Sequence, residues 1–446
     1  MKTRPLGITA LMLFLFAAAA APALANTTSF WTQAGIERFY QGKFKGAALT
    51  DDGRVVLGRN IEQLVNTAEP YLWSIARGRD DVLWAGSGNK GILYRIRPGG
   101  EPEEVTVLPG VGISALAVDS KGNVYAAAMP GGTVFTISPG GDREEFAAVP
   151  ATYVWDMQFD EDDNLFCVTG LGAGVFKITP EKAVKMLYSN SQKHFLSMFL
   201  DGEGNLYTGS SPDGLVLRIN IQEAEKMAGA APPIGKKGAS RIAAVEFGTG
   251  EEGEEKAGPH IDMDSGDRDE GETGEDGKKE EAESAREEET AADPRVAVLL
   301  DLEEDEAYRL LPLENGSFLV AANRDQSAPQ NCQKGCGQGG PRPISFPAEK
   351  SPAGNKQNAV PARLYSLTPD GRARLLLEIP DPYILALHDL GDGRVIIGTG
   401  NDGRIYITDI ETEATTLQSL PVKQVLAFTG REDSLLLATG YPGAVF

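Results

Sequence analysis

A short block of sequence recurs along this chain, and any fold the chain adopts has to repeat with it. One copy, LWSIARGRDDVLWAGSGNKGILYRIRPGG, runs from Leu72 to Gly100, and the next, ISALAVDSKGNVYAAAMPGGTVFTISPGG, from Ile113 to Gly141. Further copies start at Val154, Leu196, Ile384 and Val425, and the aligned turn residues Asp119, Asp160 and Asp201 are 41 positions apart each time. A period in this range signals stacked supersecondary units, each unable to bury its apolar face alone.

Each copy parses the same way. An alternating apolar strand leads into a D-x-x-G-N turn, then a second strand of the LYTG or VYAA type, a Gly-containing loop, and a third strand such as GILYRI or GTVFTI. A weaker fourth strand follows, EEVTVLP or REEFAAV. The Gly and Asn supply the positive φ of tight turns. Four short strands per copy make one blade of a β-propeller, whereas a β-sandwich has no reason to repeat at constant period. Small residues such as Ala85, Ala126 and Ala127 suit crowded inner strands. The expected fold is all-β, a seven-bladed β-propeller, with first strands near Trp73, Ile113, Val154, Phe195, Ala307, Ile384 and Val425. The last copy stops in its third strand, at Phe446. Two readings are open: the sequence is cut short at Phe446, or the pieces KGAALTD, RVVLG and IEQLVN between Phe44 and Val65 supply the missing outer strands and close the ring. As a blade of their own they would make eight.

From Leu72 to Asn220 and from Ile384 to Phe446, the D-x-x-G-N-[LV]-Y turns resemble NHL-type repeats, the sugar-lactone hydrolases related to gluconolactonase, and exported bacterial propellers of the WD40-like class. The lactonase resemblance implies a divalent metal near the axis, held by a carboxylate and amides from different blades. Here the first-strand positions are mostly apolar, and Asp156 and His194 are the ionisable candidates. The runs DEDDN at Asp160 and DGEGN at Asp201 lack the calcium-loop frame and read as hairpin turns. No cofactor is expected, with a divalent metal only under the lactonase alternative.

Two insertions interrupt the repeat. Residues 221–294, assigned to blade five between its third and fourth strands, are acidic and nearly free of aromatics after Phe247, and are expected to be disordered. From Glu251 to Arg295 there are 19 acidic and 6 basic residues, a net of −13 within the chain total of −22. No basic stripe exists elsewhere, which argues against nucleic acid. Residues 323–362, assigned to blade six between its second and third strands, hold Cys332 and Cys336, expected to pair as a disulfide in an oxidising compartment.

That compartment follows from the first residues. Lys2 and Arg4 precede an apolar run from Leu6 to Ala21 that ends in Pro22-Ala23-Leu24-Ala25, the layout of a signal peptide over residues 1–25. The processed protein is expected in the periplasm or outside the cell, with no membrane span.

In a propeller, loops joining strands two and three gather on one face with the segments leading into strand one. The first set contributes Asn401 and Asp402, with Asn89, Lys90, Met129, Asp213 and Tyr441. The second contributes Tyr71, Trp73, Tyr153, Trp155, Asp156, His194 and Tyr383, in the recurring PYLW, TYVW, KHFL and PYIL. Aromatics with a few polar groups around a concave funnel suit binding. The same rings also serve to pack blade on blade. The expected function is a non-enzymatic recognition or scaffold propeller whose funnel face binds a protein or envelope ligand; the alternative is a metal-dependent lactone hydrolase.

Overall fold

The computed structural model describes residues 42–138, 140–228, 293–324, 360–400, 402–431 and 434–446. Their strands fall into seven antiparallel groups of the same design. In the first, Leu72–Arg77, Leu83–Ser87, Ile92–Ile96 and Glu103–Val107 pair in chain order. The other first strands are Gly112–Val118, Tyr153–Phe159, His194–Leu200, Glu306–Pro312, Ile384–Asp389 and Gln424–Arg431. Each packs on the next, and Gln424–Arg431 packs on Leu72–Arg77, so the inner strands surround a common axis.

The core lies between blades. Leu72, Ala85 and Tyr94 of blade one pack against Ala438 and Val445 of blade seven. Trp84 and Leu93, on the other face, pack against Ile113 and Ala126 of blade two. Further layers separate blades two and three, three and four, four and five, and six and seven. Central strands are thus buried on both faces, which is why LFCVTG reads as continuous apolar sequence. Cys167 within it is a buried free thiol.

The repeat wording now has physical causes. Asp119, Asp160 and Asp201 each accept from two backbone N–H groups of their own turn and from the Asn side chain four residues on. At the end of strand two, Thr169, Ser210 and Thr439 accept a backbone N–H from the start of strand three and so fasten the loop between.

Three expectations need correction. The N-terminal pieces do not all join the last blade. Ala47–Thr50 pairs with Thr415–Ser419 and Val55–Leu57 pairs with Ala47–Thr50, adding two outer strands to blade six. Val65–Asn66 pairs with Ala444–Val445 and supplies blade seven's fourth strand. Counted from Leu72, the insertions therefore interrupt the fourth and fifth blades, not the fifth and sixth, because the N-terminal strands extend existing sheets. Nor is residue 221 the start of an unstructured segment. Ile221–Met227 is a helix capped by Asn220, whose side chain accepts from the Glu223 N–H at 2.9 Å. Its Ala224 is fully buried, and Glu225 pairs with Lys177 of blade three at 2.7 Å. The sequence IQEAEKM has good helix formers and one small inward residue, enough for two turns on a preformed surface. Residues 229–292 and 325–359, the latter with Cys332 and Cys336, and the signal segment lie outside the described residues; Asn323 and Ala362, at the bounds of the second insertion, belong to the strands Phe318–Asn323 and Ala362–Leu367.

Candidate functional site

Every first strand carries a β-bulge at the same place. Its register against strand two skips one residue: Trp73, Ser114, Trp155, Leu196, Tyr308, Leu385 or Leu426. Bulges re-aim side chains, and seven in register do so around one axis. The residues that follow the bulges form a second ring. Five are small, Ser74, Ala115, Ser197, Ala386 and Ala427, and two are charged, Asp156 and Arg309. All seven of this second ring line an axial cavity of about 220 Å³, with Trp73 and Trp155 among its other walls.

These inner residues also tie blade to blade. Ser74 donates to the Ile113 carbonyl at 3.0 Å, and Ser114 to the Val154 carbonyl at 2.6 Å. Ser197 accepts from the Leu310 N–H at 3.1 Å. Asp156 does the same with one oxygen, accepting from the Met198 N–H at 3.1 Å; the other accepts from the Met157 N–H at 2.9 Å. Arg309 donates through Nε to the Leu385 carbonyl at 3.2 Å, its guanidinium 5.4 Å from the Tyr308 ring. Burial pushes the Asp156 carboxyl above its usual range, and the Arg309 charge opposes that push. No direct ion pair closes between them.

Gly88 N–H donates to the Tyr71 carbonyl, Gly400 N–H to that of Tyr383 and Thr152 N–H to that of Gly170, so strand-one starts sit beside strand-two ends. Around Trp155 the side chains interlock. Its indole Nε1 donates to His194 Nδ1 at 3.0 Å, and Tyr153 stacks on it with centroids 4.8 Å apart. An accepting Nδ1 makes the imidazole neutral with its proton on Nε2. His194 is 1% exposed, that Nε2 has no partner among the described residues, and burial lowers its pKa to about 4, helped by the Lys193 charge. Gly170 is the seat of this pair: a Cβ there would lie 2.1 Å from His194 Nδ1 and 2.2 Å from Trp155 Nε1. Gly88 seats Trp73 in the same way, at 1.9 Å. Tyr71 is buried edge-on to Tyr441 at 4.6 Å, and its hydroxyl is pushed well up by burial and by the Tyr441 hydroxyl.

The structure thus places Trp73, Trp155 and Asp156 along the axial cavity, while Tyr71 and His194 are buried and the half-buried Tyr153 stacks on Trp155. Tyr383 leads into blade six against Gly400. Asp402 is exposed on the same face, 3.8 Å from Arg404, while Asn401 lies outside the described residues. Among the described residues no three His, Cys, Asp or Glu side chains gather as metal ligands.

The chain has the β-propeller fold. It resembles a solved streptogramin B lyase with a TM-score of 0.54 at 11% identity, over 86% of this chain and 96% of that one. A virginiamycin B lyase from Staphylococcus aureus gives 0.53 at 9%, over 86% and 97%. The WD40 propeller domain of Doa1 gives 0.52 at 10%, over 90% and 96%. At such identities the likeness concerns fold. No known family profile and no curated protein matches the sequence.

Of the two charged members of the axial ring, Asp156 is a candidate from sequence and Arg309 is not. The signal was present. Ser74, Asp156, Ser197 and Arg309 all stand four residues before the first turn of their blades, whose turn residues are Gly78, Asp160, Asp201 and Leu313. Blade five lacks the D-x-x-G-N wording, reading LENGS instead, which hides the place of Arg309 in the column.

Proposed function

We propose that this chain is a non-enzymatic recognition propeller of the cell envelope or extracellular space, binding its partner at the face where the axial cavity opens. The observation that carries the reading is the placement of two indoles, Trp73 and Trp155, at the same bulge position beside one cavity that also holds Asp156. Aromatic anchors offer large contact area at low entropy cost. The signal-like first residues support export of the processed protein.

The lactonase alternative asks for several oxygen or imidazole donors around a cation. The axial ring offers one carboxylate, and the nearest ionisable group facing it is a guanidinium, which repels a metal. This donor set does not fit that ion. The known lyase and the WD40 domain share the scaffold, and a scaffold does not choose between their uses.

Site-specific photo-cross-linking in cells that export the protein tests the face. A benzophenone side chain at Asp402, on the proposed face, is expected to trap a discrete adduct. The same group at Asp370, in the turn between the third and fourth strands of blade five on the opposite face, is expected to trap none. Equal yields from both faces, or none from Asp402, overturn the reading, as does a chelator-sensitive lactone hydrolysis by the purified protein.

A further inference from the structure

The tethers show what the axial ring needs for stability, and two of its members exceed that need. Ser74 and Ser197 link neighbouring inner strands with one hydroxyl each. Asp156 and Arg309 make equivalent links, yet each brings an ionisable head group into a ring whose other five members are small. A carboxylate offers about four acceptor sites and a guanidinium five donors. Asp156 spends two sites on backbone N–H groups, and Arg309 spends one donor on a carbonyl. Opposite charges held in a partly desolvated site without touching are costly, and a ligand that bridges them removes that cost. The blades that carry them, three and five, are separated by Ser197 of blade four, so a bridging group has to span the ring.

We propose that the axial cavity binds a small zwitterion of amino-acid size, its ammonium on Asp156 and its carboxylate on Arg309, with its apolar part against Trp73 and Leu426. The size follows from the cavity, about 220 Å³, which is below the range of about 300–1,000 Å³ usual for drug-sized ligands. Polarity follows from the two charges, and the apolar part from the indole and leucine at the bulge positions above them. This inference rests on the proposed binding face and names the ligand class for its central depression.

Isothermal titration of the full-length processed protein with leucine and with phenylalanine tests it. Saturable binding is expected for at least one of them. Its methyl ester, which lacks the carboxylate charge, and its N-acetyl derivative, which lacks the ammonium, are each expected to bind at least tenfold more weakly. These comparisons use the unaltered protein. Two variants follow the protein's own pattern: Asp156→Ser and Arg309→Ser each keep a hydroxyl to link the next blade, as Ser197 and Ser74 do. Each is expected to fold with near-native secondary structure and to lose at least tenfold in affinity for the zwitterion. Failure of both amino acids to bind, or esters and N-acetyl derivatives that bind as well as the zwitterion, overturns the proposal. If the cross-link at Asp402 forms while no amino acid binds, the ligand class is wrong and the face reading stands. If amino acids bind and no cross-link forms, the face reading fails.

Discussion

At the scale of single residues, two glycines and a histidine decide how the mouth is built. Gly170 has no side chain because the Trp155–His194 hydrogen bond passes where its Cβ would be. Gly170→Ala is expected to push the indole off the imidazole and to cost about 1–3 kcal/mol, the usual range for overpacking, read as a shift in the urea midpoint. Gly170→Ala should also change the tryptophan emission, since Trp155 loses its acceptor. His194 gives a pH dependence whose sign is fixed. Its folded-state pKa, lowered to about 4, lies below the ordinary value of 6.5, so the unfolded chain takes up a proton that the folded one refuses. The stability this contributes is fully present above pH 6.5 and is lost as pH falls through about 4. Thermal melts at pH 7.0 and 4.5 should therefore differ less in His194→Gln, which keeps an acceptor for Trp155 and cannot titrate. An unchanged difference would mean that other groups dominate the acid limb. These contacts were half legible in sequence. The aromatic lead-ins stood out by recurrence, but whether a ring faces the axis or its neighbour depends on the bulge, which no local pattern announces.

At the scale of elements, the strand order followed from the repeat because each blade is made of local hairpins, and local pairing is what turn chemistry specifies. Where pairing is non-local the sequence said less. Val65–Asn66 and Ala47–Thr50 find partners more than 360 residues away in the chain, in two different blades, and their short apolar pieces suit either edge. The helix Ile221–Met227 was hidden by the acidic composition that follows it, although Asn220 is a good cap and Ala224 a good inward residue. This distinction yields a prediction. Leu215–Asn220 and Val296–Asp301 already pair across the gap between them. Deleting residues 251–292 is expected to move the melting temperature by no more than about 2 °C, since loop-closure entropy changes slowly with length. Extending the deletion back through residue 221 removes Ala224 from its layer and the Lys177–Glu225 pair, and is expected to lower the melting temperature clearly. Equal effects of the two deletions would show that the helix carries no packing energy.

At the scale of the whole molecule, stability lies in the layers between blades, and a ring has no end only while its last sheet is complete. Blade seven takes three strands from the C-terminal sequence and the fourth from Val65–Asn66. That junction is fastened by Leu64 N–H to the Val445 carbonyl at 2.8 Å, by Thr67 N–H to the Gly443 carbonyl at 3.1 Å and by the Thr67 hydroxyl to the same oxygen at 2.7 Å. The two extra strands on blade six lie further out, and Val55 to Leu57 face solvent. Two N-terminal deletions therefore separate closure from decoration. Removing the chain through Leu57 strips only the outer strands of blade six and is expected to leave one cooperative melt at a slightly lower temperature. Removing it through Thr67 also exposes the Ala444–Val445 edge and uncovers part of the layer between blades seven and one, where Val65 packs on Leu72 and Tyr94. The shorter protein is expected to melt much lower. It should also form dimers or larger species by light scattering, because an open apolar edge recruits another strand. A monomer with nearly unchanged melting would show that the ring holds without its N-terminal strand, and that the contacts of the inner strands around the axis are sufficient to close it.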